Sequence, residues 1–347
     1  MNCLADFSKL KIEKILKEEF SQPSYRAGQL YKNVTRFNSY DEMSDLPLSL
    51  RDKLKEKYFD RALDVEKYLV STDGTVKYLY KLNDGNVIEG AFMTQSYGNT
   101  LCVSTQVGCR MGCAFCASGI GGLVRNLTAG EILSQVLCVN RLQGGTAEKR
   151  AVTNIVLMGS GEPLDNYDEV TEFLRLVSSP EGLNVSERNI SLSTCGLVEN
   201  VRRLADDGFT VTLTFSLHAS NDDFRRSIMP IANRYTIKEI VDAAKYYFSK
   251  TGRRVIFEYT MIKGVNINHF DAKRLSELLK GFPCHVNLIP LNPVEEKNLQ
   301  GCSGAEAERF LKKLHEFGLS ASIRKSKGAD VGGACGQLRR SYIGQGK

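Results

Sequence analysis

From Leu101 to about residue 324, short β-rich runs alternate with longer stretches of helical periodicity, and this alternation limits the possible fold more than any other feature. The predicted strands are 101–106, 153–158, 189–193, 210–216, 254–261, 285–289 and a short 321–324. The predicted helices are 129–142, 167–178, 198–207, 236–249, 270–280 and 304–317. Strand–helix–strand succession implies an α/β fold with a parallel sheet and covering helices. Roughly six such units suggest an incomplete (β/α)6-type barrel rather than the full eight. An open doubly wound sheet is the alternative.

Three other segments flank this core. Residues 1–62 read as a small helical domain: Leu10, Ile12, Ile15 and Leu16 fit a helical stripe, a second helix follows Pro23 with Leu30 and Tyr31 facing inward, and a third runs past Pro47 through Leu50 and Leu54. Its exposed lysines and arginines suit a solvated cap and an RNA-contacting module equally well. Residues 63–98 read as a β-hairpin extension, with β-rich runs at Tyr68–Ser71, Val76–Leu82 and Asn86–Met93 and a tight turn at Asn83-Asp84-Gly85. The barrel is expected over 99–325, and 326–347 reads as a basic, glycine-rich loop.

Composition removes several classes of function. No apolar run approaches the ~18 residues of a membrane span, and the N-terminus has acids where a secretory signal has an apolar segment. Ten cysteines in 347 residues are too sparse for a disulfide scaffold. A cytoplasmic, reducing location is therefore expected, where clustered cysteines signal metal ligation or redox work. The formal charge of +6 favours a nucleic-acid partner only weakly.

Such a cluster is present: Cys109, Cys113 and Cys116 stand in C-x3-C-x2-C spacing directly after a predicted strand. Three thiolates on so short a loop can wrap one 4Fe–4S cube and leave one of its irons without a protein ligand. An open metal position is where a substrate binds and reacts. Gly108 and Gly112 let the backbone fold tightly there. Zinc is the competitor, but a structural zinc site takes four ligands, and the four histidines, 218, 269, 285 and 315, are all distant in sequence.

In α/β barrels, ligand-binding groups collect where strands end. Small or polar residues stand at those places: Gly159-Ser160-Gly161-Glu162-Pro163, Ser193-Thr194-Cys195-Gly196, Ser216-Leu217-His218 and Pro290-Leu291-Asn292. Turn residues are common there in any protein. A lone histidine such as His218 is more often scaffold than catalyst.

With the cysteine loop, Cys102, Arg125-Asn126-Leu127-Thr128, Gly161-Glu162-Pro163-Leu164, Ser216-Leu217-His218-Ala219, Ile228-Met229-Pro230-Ile231, Val286-Asn287-Leu288-Ile289-Pro290 and Ala334-Cys335-Gly336-Gln337-Leu338, the chain resembles the RlmN/Cfr family of radical S-adenosylmethionine (SAM) RNA methyltransferases. The resemblance runs from about residue 5 to 340. It departs in having Gly159-Ser160-Gly161 where Gly-Met-Gly is common, and Gly119 where Thr or Ser often stands.

The resemblance implies a methyltransferase acting on adenine carbons, with a 4Fe–4S cluster on Cys109, Cys113 and Cys116 and two SAM molecules per turnover. SAM contacts fall to Gly161, Glu162, Ser193, Ser216, Leu217, His218 and Asn292. Cys335 takes a methyl from one SAM, and a radical made from the second abstracts a hydrogen from that methyl. The carbon radical adds to adenine. Cys102 then attacks the sulfur of Cys335, frees the RNA and leaves a disulfide, while Glu89 accepts the proton. Such a bridge needs Cα atoms within about 7 Å, so the glycine-rich tail has to fold back to Cys102. Cys3, Cys138, Cys195, Cys284 and Cys302 read as bystanders.

The RlmN type methylates C2 of an adenine in 23S rRNA and of the adenine beside the tRNA anticodon. The Cfr type methylates C8 of 23S rRNA and confers antibiotic resistance. Glu162-Pro163-Leu164 and Pro290 favour the RlmN type. An electron donor such as a flavodoxin or ferredoxin is implied. A glycyl-radical activase would need neither Cys102 nor Cys335, and a zinc-binding RNA module would be colourless. RNA phosphates need cations around the site, and Arg125, Arg188, Arg225, Arg226, Arg324, Lys325, Lys327, Arg339 and Arg340 are the candidates.

Overall fold

The fold is taken from a computed structural model that describes residues 1–291, 300–325, 327–331 and 337–345. The first segment contains β1 (Asn2–Cys3), α1 (Lys9–Phe20), α2 (Tyr25–Thr35), α3 (Leu48–Lys55) and β2 (Tyr58–Phe59), with β1 and β2 paired in parallel. Ile12, Ile15, Leu16 and Phe20 of α1 pack with Leu30, Tyr31, Val34, Leu50 and Leu54 in a core of their own. Leu10, expected on that stripe, is 77% exposed. It precedes Ile12 by two residues, about 200° around a helix, and so faces away. The segment docks where Asp6 accepts a hydrogen bond from the Gly130 N–H (2.7 Å). A Cβ on Gly130 would come within 2.5 Å of Asp6, so glycine is what permits the approach.

Next come β3 (Leu63–Val70), β4 (Val76–Leu82), β5 (Val87–Gln95) and β6 (Gly98–Cys102), a continuous antiparallel run. Tyr78, Tyr80, Ile88, Phe92 and Leu101 share one face and enter the main core, while Lys77, Leu79, Glu89 and Cys102 share the other.

β6 also pairs in parallel with β9, joining this run to the α/β core. The core contains β7 (Gln106–Gly108), β8 (Leu123–Asn126), α4 (Ala129–Leu142), β9 (Asn154–Leu157), α5 (Tyr167–Ser178), β10 (Ile190–Thr194), α6 (Val198–Asp206), β11 (Thr212–Ser216), α7 (Asp222–Ile228) and α8 (Ile237–Thr251). It continues through β12 (Val255–Met261), α9 (His269–Leu278), β13 (Cys284–Pro290), α10 (Gly304–Glu316) and β14 (Ala321–Ile323). The ten-stranded sheet has the order β14-β13-β12-β11-β10-β9-β6-β5-β4-β3. A doubly wound sheet reverses its strand order partway; here β6 and β9 to β14 follow chain order throughout. All their carboxyl ends therefore open on one edge.

The predicted strand 101–106 is divided. β6 stops at Cys102, and β7 pairs instead with β8 in a separate two-stranded sheet. Buried Ser104 takes over the ladder. Its Oγ donates to the Glu89 carbonyl (2.7 Å) and accepts the Ser160 N–H (2.9 Å), and its own N–H goes to Gln135.

The tail is not all loop. It forms α11 (Gln337–Gln345), with Leu338 packed against Leu79 and Val87. Upstream, Asp330 accepts the Thr72 N–H (3.0 Å), and the Gly328 N–H donates to Asp73 (3.1 Å). The tail thus folds back over the polar face of the antiparallel run. No helix among the described residues is long and apolar enough to cross a membrane.

Candidate active site

The loop from Cys109 to Cys116 leaves β7 at the edge where the parallel strands end. The Cys109 N–H donates to the Gly122 carbonyl (3.1 Å), and the Ala114 N–H to the Ile228 carbonyl of α7 (2.8 Å). Gly108 has φ +81, and a Cβ there would lie 2.1 Å from the Gly122 oxygen. Burial pushes the Cys109 and Cys113 thiols up to about 12, and Cys116 is partly buried. Empty, these two thiols are therefore neutral. Among the described residues, no three of His, Cys, Asp and Glu gather as ligands of one ion. In a cube each thiolate binds a different iron, so such a gathering is not required. Three soft donors on a short, glycine-permitted loop fit a 4Fe–4S cluster.

The end of β9 lies against this loop. Gly161 has φ +114, and its Cβ would meet Gln106 and Thr105 at 2.7–2.8 Å. Gln106 accepts the Glu162 N–H (2.9 Å) and donates to Asp165 (2.8 Å), which also accepts from Arg110 (2.8 Å). Glu162 is buried, with Oε1 accepting the Leu164 N–H (3.0 Å) and Oε2 the Cys195 N–H (2.7 Å). Burial holds its carboxyl above the usual range, against those hydrogen bonds. Ser160, the departure from the family pattern, is buried with its hydroxyl 3.4 Å from that of Ser118.

At the ends of β10 and β11, Ser193 faces Thr214, and Ser216 faces Glu258 of β12. The Leu217 and His218 N–H groups both donate to the Glu258 carbonyl (3.1 and 3.0 Å). His218 has φ +58, is buried, and packs edge-on against Phe115 of the cysteine loop at 4.7 Å between ring centroids. Its Nδ1 accepts the Thr260 N–H (3.1 Å), which leaves the ring proton on Nε2. Burial, then the Arg225 charge, lowers its pKa to about 3, so the ring is neutral. These contacts fix the orientation of the ring beside the cysteine loop. Asn292 and Cys335 lie outside the described residues.

Cys102 and Glu89 come together on adjacent strands. Cys102 faces Ala91, which faces Lys77 on its other side, and Glu89 is two residues along from Ala91 on the same face. Glu89 Oε1 is 3.3 Å from the Lys77 ammonium, and both side chains are buried. Its Oε2 accepts the Arg339 N–H of α11 (2.8 Å).

Sequence reasoning missed Lys77, Gln106, Glu258 and Thr260. Lys77 shares a strand face with Leu79 and exposed Lys81, a face that reads as solvated, yet its side chain is buried beside Glu89. Arg225, a candidate RNA contact, is wholly buried and cannot reach phosphate. Arg125 is engaged by Glu131 (2.7 Å) and Asp84 (2.6 Å), Arg226 by Asp223 (2.8 Å) and Arg324 by Glu258 (3.0 Å).

Three thiols on one loop, at the carboxyl ends of a sequentially wound parallel sheet, define a radical SAM enzyme, and the radical SAM superfamily profile matches residues 103–273. The fold resembles a crystal structure of a radical SAM methyltransferase from Sphaerobacter thermophilus, with TM-score 0.92 and 41% identity over 97% of this chain and 99% of that one. A probable dual-specificity RNA methyltransferase RlmN of Clostridium perfringens is 49% identical over 347 residues, covering 99% of this chain and 98% of the relative. A protein of the same description from Lachnoclostridium phytofermentans is 48% identical over 324 residues, covering 92% and 90%. The chain belongs to the RlmN family.

Proposed function

We propose that this chain methylates C2 of an adenine in 23S rRNA and of the adenine beside the tRNA anticodon, passing the methyl group through Cys335. The observation that carries the reading is the return of the tail to the Cys102–Glu89 face. Leu338, three residues after Cys335 in the chain, packs on Leu79 and Val87, and the Arg339 N–H donates to Glu89.

A 4Fe–4S cluster on Cys109, Cys113 and Cys116, with SAM bound, would supply one-electron cleavage of the sulfonium and hence a carbon radical. Adenine C2 is not nucleophilic enough to take a methyl directly from a sulfonium, but a carbon radical can add to it. Gly161, Glu162, Ser193, Ser216, Leu217, His218 and Asn292 would hold SAM. Neutral His218 presents an Nε2–H donor and no charge that would oppose a sulfonium. Two SAM molecules are consumed, one donating its methyl to Cys335. The radical adduct gives up its C2 proton to Glu89 and one electron, which would return to the oxidised cluster. The Cys102 thiolate then attacks the sulfur of Cys335, the carbon–sulfur bond breaks with its electron pair going to the RNA-bound carbon, that carbon takes up a proton to become the methyl group, and a disulfide remains for an external reductant to reopen. The Lys77 ammonium, 3.3 Å away, compensates the buried Glu89 carboxylate.

The described parallel strands would form the wall of a partial (β/α)6-type barrel, with residues 1–62 and the tail as its accessory parts. The target adenine would leave its stack to reach this edge. Arg188, Lys325 and Arg340 are exposed enough to meet phosphate. A flavodoxin or ferredoxin in the cytoplasm would supply electrons. Mass spectrometry of nucleosides after reaction with 23S rRNA and tRNA tests the assignment: 2-methyladenosine supports it, and 8-methyladenosine overturns it in favour of the Cfr type.

A further inference from the structure

Arg225 is the bulkiest wholly buried side chain among the described residues. Its Nε donates to the Leu217 carbonyl (3.1 Å), and its Nη2 to those of Cys195 (2.8 Å) and Ser216 (3.2 Å). Nη1 has no hydrogen-bond partner among the described residues. Burial disfavours the guanidinium charge, with Cys195, Cys113 and Asp222 acting on it through space only. The Asp222 carboxylate is spent on the Ile237 N–H (2.8 Å) at the start of α8.

A buried cation without a paired anion is costly, and folds keep one only where a counter-charge arrives. α7, which carries Arg225, lies against the cysteine loop, where the Ile228 carbonyl accepts the Ala114 N–H (2.8 Å), and a cluster held there by thiolates brings negative charge. Reduction by one electron then adds a further negative charge and no proton. A fixed positive charge beside the loop favours the reduced state over the oxidised one.

We infer that Arg225 is the buried counter-charge of the iron–sulfur centre, a positioning residue that ties the ends of β10 and β11 together and eases reduction of the cluster. This rests on the reading that Cys109, Cys113 and Cys116 hold that cluster. The electron comes from an external donor, dithionite in the test below.

The test is a redox titration followed by electron paramagnetic resonance, without SAM, on the reconstituted full chain, Arg225→Gln and Arg225→Lys. At a fixed potential, R225Q is expected to show a reduced-to-oxidised ratio at least tenfold below the wild type, a shift of 59 mV or more toward negative potential for one electron. R225K keeps the charge and is expected within threefold of the wild type. A loaded R225Q that titrates like the wild type overturns the inference. If R225Q does not load, R225K decides alone: a ratio near the wild type supports the charge, and a tenfold loss overturns it. If neither variant loads iron although both melt like the empty wild type, hydrogen-bond geometry rather than charge is at work, and the inference is overturned. A wild type that takes up no brown cluster defeats the cluster reading itself, a failure plainly distinct from the others.

Discussion

Replacing Gly108 by alanine tests whether the cysteine loop is held by the clamp between Cys109 and Gly122. The backbone at Gly108 has φ +81, and a Cβ would stand 2.1 Å from the Gly122 oxygen, the same oxygen that accepts the Cys109 N–H. The left-handed conformation alone costs an L-residue about 1–2 kcal/mol. Displacing a backbone carbonyl adds an overpacking cost of about 1–3 kcal/mol, for a total of roughly 2–5 kcal/mol. At about 2 °C per kcal/mol for a chain of this size, the melting temperature of the empty protein should fall by about 4–10 °C. Gly121→Ala is the control: its φ is +92, but nothing lies within 4 Å of its Cβ, so only the conformational cost applies. Anaerobic thermal unfolding gives the two stabilities, and iron per chain after reconstitution gives the state of the loop. G108A should melt lower than G121A and lose most of its iron, while G121A keeps it. Equal melting of the two variants with full iron in G108A would refute the clamp.

Three further outcomes follow from the geometry. Lys77→Met leaves the buried Glu89 carboxylate without its adjacent ammonium and should cost about 3–5 kcal/mol, with Lys77→Met/Glu89→Gln recovering part of it; denaturant unfolding in which the double variant is no better than the single one would contradict the pairing. His218 titrates near 3 when folded against an ordinary 6.5, so between those values the unfolded chain binds the extra proton and stability falls as pH falls. The loss is roughly 1.4 kcal/mol per pH unit below about 6.5, and buried Glu162 and Glu258, raised above their usual range, work in the opposite direction. The informative quantity is therefore the wild type minus His218→Asn between pH 7 and 5, and an equal loss in both proteins would count against a buried neutral ring. Because burial raises Cys109 and Cys113 to about 12, cluster assembly should release protons and tighten as pH rises. Calorimetry in two buffers of different ionisation enthalpy measures that release, and none at all would mean the empty loop already holds thiolates.

Much of the parallel core was legible because period and burial agree. Helices 129–142 and 167–178 were placed to the residue, since their apolar stripes face one continuous core. Strand Val76–Leu82 was equally clear, with Val76, Tyr78, Tyr80 and Leu82 on one face and Lys77 and Lys81 on the other. The same alternation concealed Lys77, whose face looks solvated although its side chain is buried beside Glu89. The helix in the tail was missed because Gln337–Gln345 is short and mostly polar, with Leu338 supplying its contact to Leu79 and Val87. Arg225 stands beside exposed Arg226 on a seven-residue helix, and nothing local separates the buried guanidinium from the solvated one. Among site residues, the cysteine loop and the groups at the strand ends were visible as spacing and composition. The partners that orient them, Gln106, Glu258 and Thr260, sit on other strands and emerge only once register is fixed.

The central claim is that the methyl group passes through Cys335 and is freed by Cys102. It is tested most directly by supplying methyl-labelled SAM to the anaerobically reconstituted chain, with and without RNA, in the wild type and in Cys102→Ala. Label should reach the Cys335 peptide before any RNA is added, and the variant should accumulate RNA covalently joined to that peptide. Label that enters RNA while Cys335 stays unlabelled, or full turnover by Cys102→Ala, would contradict the account.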